Sequence, residues 1–281
     1  MKAATLFGVD FTSAPCVRKP ITVAAGRVDR KSIRLDALEL LQDWPAFEAF
    51  LDRPGPWLGA FDFPFGLPRE AIVDLGWPMT WTSLVEHCAS LGRQAFREQL
   101  DAYRATRPPG KRYAHRAADA PARSHSPLKL VNPPVGLMFV EGVPRLLRAG
   151  VSLPGLQDAE PSRIALEAYP GLLARAISRA PYKTDERAKQ TGARRDARES
   201  IVAALESGAH PLGLPLSLEG VQRAALIEDA SGDLLDATLA LVQSAWCLQA
   251  GPPDFGLPRG IDPLEGWIAT VPGPAGVPPG A

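Results

Sequence analysis

Five acidic residues stand at the edges of apolar segments: Asp10, Asp62, Glu167, Asp233 and Asp236. Asp10 ends the run Thr5-Leu-Phe-Gly-Val-Asp10, Asp62 ends Trp57-Leu-Gly-Ala-Phe-Asp62, and Glu167 lies near the end of Arg163-Ile-Ala-Leu-Glu167. Asp233 and Asp236 are three apart in the first turn of a predicted helix and so share one of its faces. Desolvating a lone carboxylate costs several kcal/mol, so each needs hydrogen bonds, a cation or a metal. If the strands ending at Asp10 and Asp62 are neighbours, the two acids lie ~4.8 Å apart. Like charges at that spacing raise each other's pKa unless something positive sits between them. A hard divalent ion such as Mg²⁺ or Mn²⁺ answers that need, being held by one or two carboxylates with water and phosphate. Two such ions, roughly 3.5–4 Å apart, stabilise the attacking and leaving oxygens of phosphodiester cleavage. On this reading Asp10 is a metal ligand.

Each acid also has a plainer reading. Asp10 can open an Asx turn with Thr12 and Ser13, and Asp62 can brace the turn into Pro64. Glu167 can pair with an arginine, and Asp233 suits the positive end of a helix.

The elements that must position these residues are legible in outline. Ala4 to Val9, Pro20 to Ala25 and Ser32 to Asp36 read as strands, the second ended by Gly26 and paired with the third. Asp43 to Asp52 opens a helix with Pro45 in its first turn, and Pro56 to Asp62 is a fourth strand, stopped by "FPFGLP". Residues from about 70 to 160 differ in character. They hold a helical stretch from Ser83 to Arg104, a Pro- and Arg-rich loop from Ala105 to Pro127 and an apolar segment from Gly136 to Leu147. This stretch reads as an insertion or cap on a single domain covering 1–271. Arg163 to Pro170 returns to strand, Leu172 to Arg179 and Lys183 to Ser207 are helical, and Gly232 to Leu248 is a strong helix with Ser231 as N-cap. The Pro/Gly-rich tail, 272–281, reads as disordered.

Composition is that of a globular protein: 46% hydrophobic, 22% charged and a net charge of zero over 281 residues. No apolar run approaches the roughly 20 residues of a membrane span, and Asp10 breaks any signal-peptide pattern. Cys16, Cys88 and Cys247 are too few and too scattered for a disulfide framework or a zinc knuckle, so a reducing cytoplasm is the default. The charge is unevenly spread. Arg97 to Lys129 and Arg175 to Arg198 each hold eight basic residues against three acidic ones. Such segments suit a polyanion, though solvated helix faces produce the same pattern. Arg112, Arg116, Lys129, Lys183, Arg194 and Arg195 are candidate nucleic-acid contacts within them. His115 and His125 lie ten apart in a polar loop, and Trp77 and Trp81 are spaced for packing.

The motifs "GVDFTSAP", "FDFPFGLP", "LEAYP", "DLLDATLAL" and "EGWI" together resemble a bacterial family described as predicted ribonuclease H-like nucleases, domain of unknown function 429. The resemblance runs from Gly8 to Ile268. It implies an α/β fold with a ribonuclease H-like, mixed five-stranded sheet, helices on both faces and a large helical and loop insertion. It also implies that Asp10, Asp62, Asp233 and Asp236 bind the metal, with Glu167 as a further catalytic acid in an E-x-Y-P motif. Nucleic acid is the implied partner, and a homodimer is the arrangement of junction-cleaving relatives. Two other readings compete. "GVDFTS" also resembles the first phosphate loop of actin-like and sugar-kinase-like phosphotransferases, although no second Gly-rich loop is found. A non-catalytic module that kept the fold is the third.

Overall fold

In the computed structural model, which describes residues 4–273, a mixed seven-stranded sheet carries helices on both faces. The elements in chain order are β1 (Thr5–Asp10), β2 (Ile21–Asp29), β3 (Ser32–Leu41), α1 (Trp44–Leu51), β4 (Trp57–Asp62), α2 (Arg69–Asp74), α3 (Trp81–Thr106), α4 (Asp119–Ala122), α5 (Val135–Ala149), β5 (Val151–Ser152), β6 (Glu160–Glu167), α6 (Pro170–Ile177), α7 (Gly192–Ser207), β7 (Leu216–Ser217), α8 (Gly220–Glu228) and α9 (Asp233–Ala250). A single 3₁₀ turn, Arg187–Lys189, lies between α6 and α7.

The strand order is β5-β6-β4-β1-β2-β3-β7. β1, β2 and β3 form an antiparallel meander, whereas β4 runs parallel to β1, and β6 parallel to β4. The sheet therefore has seven strands rather than the expected five. The two extra strands, β5 and β7, are two-residue edge pairings, too short to leave a periodic signal in sequence. β2 runs on through Gly26, where a bulge shifts its register with β3.

Alternation along β1 assigns its residues to two layers. Phe7 and Val9 join Phe47 and Phe50 of α1, Leu84 and Phe96 of α3, and Leu137 and Phe139 of α5 in one apolar core. Leu6 faces the other way, toward Leu173 of α6, Ile201 of α7, Leu226 of α8 and Leu239 and Leu241 of α9. The 70–160 stretch thus furnishes much of the helical layer on one face of the sheet. Trp77 and Trp81 are buried in it, and the Trp81 indole donates to the Phe65 carbonyl at 2.8 Å.

Gly8 sets how closely α9 can approach. A Cβ there would stand 2.0 Å from the Ala237 carbonyl oxygen and 2.1 Å from the Leu241 nitrogen, so only glycine lets the helix lie on β1. The helix starts one residue later than expected. Its N-cap is Gly232 in the left-handed conformation rather than Ser231, and the Asp229 carboxylate accepts from the Leu234 amide at 2.9 Å. The three cysteines are free. Among the described residues no helix is long and apolar enough to cross a membrane. Residues 274–281, most of the expected disordered tail, lie outside the described residues.

Candidate active site: carboxylates at one end of the sheet

Asp10 and Asp62 are the last residues of adjacent parallel strands and are direct register partners. Both share the pleat side of Leu6, Gly8, Leu58 and Ala60, the side covered by α9. The first turn of α9 brings Asp233 and Asp236 to the same place, and Asp10 experiences the charges of Asp233, Asp236 and Asp62. Four of the five predicted acids are therefore together.

Their partners differ. Asp236 is fully buried; it accepts hydrogen bonds from the Tyr182 hydroxyl and the Lys183 ammonium. Asp233 is held by Lys19, whose ammonium lies 2.9 and 2.8 Å from its two oxygens and 3.2 Å from Asp185. Asp10 and Asp62 have neither an ion pair nor a hydrogen bond among the described residues. The Asx turn open to Asp10 does not form. The turn after Asp62 is closed by backbone instead, with the Phe63 amide donating to the Phe61 carbonyl at 2.9 Å.

The titration behaviour follows from this. Burial pushes the Asp10 carboxyl well above its ordinary value, and the neighbouring Asp233 and Asp236 add to the effect. Burial and then Asp236 raise Asp62 to about 7. Burial works against charge on Lys183, but the Asp236 carboxylate outweighs it and holds the ammonium well above its ordinary pKa. Lys19 is raised in the same manner by Asp233.

Glu167 differs from this group in its face of the sheet and its partners, although its charge also raises Asp62. It pairs in register with Phe61, one residue short of Asp62, so the pleat turns it to the opposite face of the sheet. There the Arg116 guanidinium holds both its oxygens at 2.7 and 2.6 Å, and the Phe65 amide donates to it at 2.8 Å. Arg116 also binds Asp119 at 2.9 Å, and both are buried. Arg116, read from sequence as a nucleic-acid contact, is an internal tie between the loop before α4 and the end of β6, and it also lines the cleft beside Asp62. Lys183 is likewise committed to Asp236, although its side chain keeps 46% exposure. Arg194 donates to the Lys183 carbonyl at 2.8 Å and Arg195 binds Glu228 at 2.6 Å, both on the surface. Arg112 is exposed, and Lys129 lies beside His125, its Nζ 3.3 Å from Nε2.

A cleft of about 340 Å³ opens beside the carboxylates. Asp62, Lys183 and Glu167 line it on one side, Ser124 and His125 on another, with Phe63, Val135 and Met138 forming an apolar wall. Lys19 and Tyr182 escaped the sequence reading. Their neighbours in "CVRKP" and "PYKTDE" give no local sign of a link to α9, which lies about fifty residues or more away.

The donor set can be tested against a divalent ion. As the side chains stand, no three His, Cys, Asp or Glu among the described residues form a group able to hold a metal. Lysines take the oxygens of Asp233 and Asp236. Asp10 and Asp62 remain, two adjacent hard oxygen ligands without protein partners, which suits Mg²⁺ or Mn²⁺ bound by two carboxylates plus water. No family model, curated protein or solved structure matches the chain.

Proposed function

We propose that the protein is a divalent-metal-dependent nuclease with a ribonuclease H-like core, hydrolysing phosphodiester bonds of nucleic acid. The observation that carries the reading is the placement of Asp10 and Asp62, side by side and unpartnered, at the ends of two parallel strands beneath the helix bearing Asp233 and Asp236. The order β3-β2-β1-β4-β6, antiparallel up to β1 and parallel beyond it, agrees with such a core, with β5 and β7 as edge additions.

Asp10 and Asp62 would hold Mg²⁺ or Mn²⁺, which when bound lowers the pKa of water and neutralises charge on a phosphoryl group. The chain's own groups complete the site. Lys183 is cationic, faces the cleft and can meet a phosphate oxygen without leaving the neighbourhood of Asp236. Tyr182 fixes the other Asp236 oxygen, and Lys19 fixes Asp233, so neither acid swings toward the other. The apolar wall of Phe63, Val135 and Met138 limits water on one side of the cleft.

An actin-like or sugar-kinase-like phosphotransferase has less support. The second phosphate loop it needs would fall at "FPFGLP", yet there the amides of Phe63, Phe65 and Leu67 donate to Phe61, Glu167 and Leu264 and are not free for phosphate. Gly66 presses against the Leu264 and Glu265 carbonyl oxygens, where a Cβ would stand 2.3 and 2.4 Å away.

The test is cleavage of labelled single-stranded, duplex and junction DNA and RNA with Mn²⁺, alongside Asp10→Asn. Wild-type protein is expected to cut at least one substrate and the variant none. Equal rates would trace the cutting to a contaminant and remove the proposal. A non-catalytic module predicts a melting temperature indifferent to millimolar Mg²⁺ or Mn²⁺.

A further inference from the structure

The proposed nuclease reading leaves open what the cleft would hold, and the basic side chains bear on that. Much of the positive charge in the two basic segments is neutralised within the fold. Arg97 and Arg104 pair with Asp101, Arg107 with Glu70, Arg116 with Glu167 and Asp119, Lys189 with Glu186, and Arg195 with Glu228. A long duplex backbone is gripped by an extended row of free cations. The side chains without an ion pair include Lys111, Arg112 and Arg187, all exposed and none of them lining the cleft.

Among the unpaired cations, Lys129 and Arg175 touch His125 and Tyr169 of the cleft lining without lining it themselves. Arg123, Lys129, Arg175 and Arg179 form no ion pair among the described residues. Arg123, Arg175 and Arg179 together line a second hollow. The Arg175 guanidinium lies 5.0 Å from the centre of the Tyr169 ring and donates to the Tyr169 hydroxyl at 3.1 Å and the Ala122 carbonyl at 2.8 Å, which fixes its position. Tyr169 itself lines the carboxylate cleft, as does His125. The charged groups acting on His125 are Lys129, Arg175 and His115, all of them basic. A corner where Lys129 and Arg175 stand beside His125 is suited to an oxyanion, with the nearby acid, Asp119, engaged by Ser124 and Arg116.

The cleft thus combines three chemistries: His125 with the cations beside it, the apolar residues Phe63, Val135 and Met138, and the carboxylates Asp62 and Glu167 with Lys183 and Arg116. Its volume, about 340 Å³, is at the small end for ligand pockets. We propose that this cleft recognises one nucleoside monophosphate unit, its phosphate on His125, Lys129 and Arg175 and its base and sugar against the apolar wall. The unit is either a free nucleotide or the phosphorylated end of a strand. The inference rests on the nuclease reading for its place beside Asp62, and the small volume of the cleft makes a terminal or free nucleotide the unit it would hold.

Binding is measured without divalent metal, by calorimetry, so that cleavage plays no part. The probes are a nucleoside 5′-monophosphate, the parent nucleoside, inorganic phosphate, and short oligonucleotides with 5′-phosphate, 3′-phosphate or hydroxyl ends. The monophosphate should bind roughly tenfold or more tighter than the nucleoside or inorganic phosphate, reflecting charge-assisted hydrogen bonds. Lys129→Gln and Arg123→Gln, exposed or half-buried side chains without ion-pair partners, should each weaken it several-fold, and Arg175→Gln by roughly tenfold. Arg195→Gln, remote in sequence and paired to Glu228, serves as the control and should leave affinity unchanged. A preference for the phosphorylated oligonucleotide end over the hydroxyl end assigns a strand terminus; tight binding of the mononucleotide alone assigns a free nucleotide. Equal affinity for nucleoside and monophosphate overturns the proposal, as does an equal loss in Arg195→Gln and Lys129→Gln, because only general charge would then be at work. Asp62→Asn separates the two readings: it should abolish cleavage while monophosphate binding persists, so failure of one leaves the other standing.

Discussion

Replacing Asp62 by asparagine keeps the side-chain shape and removes a charge that the fold opposes. In the folded chain Asp62 titrates at about 7, against an ordinary value of 3.8, because burial and Asp236 both disfavour its ionised form. A carboxyl raised in this way contributes stability that is fully present below its unfolded pKa and is lost as pH rises through the folded one. Between pH ~4 and ~7 the wild-type protein should therefore lose stability relative to Asp62→Asn by up to ~1.4 kcal/mol per pH unit. Three units give ~4 kcal/mol as a ceiling, and the partial exposure of Asp62 brings the expected gain to ~1–3 kcal/mol above pH 7.5. Relief of Asp10, which also feels the Asp62 charge, adds in the same direction. Thermal unfolding in EDTA from pH 4 to 8.5 measures it, with each kcal/mol worth about 2–4 °C for a chain of this size. The melting curves should converge toward pH 4 and separate, variant higher, up to about pH 7.5. A variant that is less stable at pH 8, or whose advantage does not change with pH, refutes the electrostatic account of the site. With millimolar Mn²⁺ the wild type should recover more than the variant, because an ion on Asp10 and Asp62 stabilises only the folded chain that binds it.

Other expectations rest on packing. Gly8→Ala places a methyl group against the backbone of α9 at 2.0–2.1 Å, which no side-chain rotation relieves, and should cost at least ~2–3 kcal/mol in urea unfolding. Because α9 carries Asp233 and Asp236, divalent-ion stabilisation should fall with it. Arg116→Met leaves Glu167 and Asp119 buried without their cation and should cost ~3–5 kcal/mol, part of it regained when Glu167→Gln is added. A loss additive across the two substitutions would show that Arg116 and Glu167 are not coupled.

The strands that carry Asp10 and Asp62 were legible because each is an apolar, β-prone run ending abruptly in an acid, and α9 because its periodicity is long and strong. Register was not legible, and it decides the site. Asp62 and Glu167 both end strands, yet a pairing offset of one residue turns them to opposite faces of the sheet. Arg116 misled for a related reason. In a Pro- and Arg-rich stretch it has no apolar neighbours to announce burial, and its partners Glu167 and Asp119 are joined to it only by tertiary structure. Helices α2 and α8 were missed as short elements, α2 lying just past the turn-rich "FPFGLP". Ser231 is a good N-cap type, but Asp229 already supplies the amide acceptor and Gly232 the left-handed turn.

The two lysines at the carboxylate cluster make the arrangement tenable without metal. Four acids at one sheet end would be mutually repulsive, and the chain resolves half of that with Lys19 on Asp233 and Lys183 on Asp236. It leaves the Asp10 and Asp62 carboxylates without an ion pair or a hydrogen bond among the described residues. A half-buried carboxylate pair with no hydrogen bond or ion pair is a standing destabilisation, as the raised titration of both residues indicates. Within the fold its compensation is the charge of Lys183, which is bound to Asp236, and asparagine at either position would fit the same space without the repulsion. A bound cation would compensate, and that asymmetry between the paired and unpaired acids makes Asp10 and Asp62, rather than the whole cluster, the place where the proposed metal would bind.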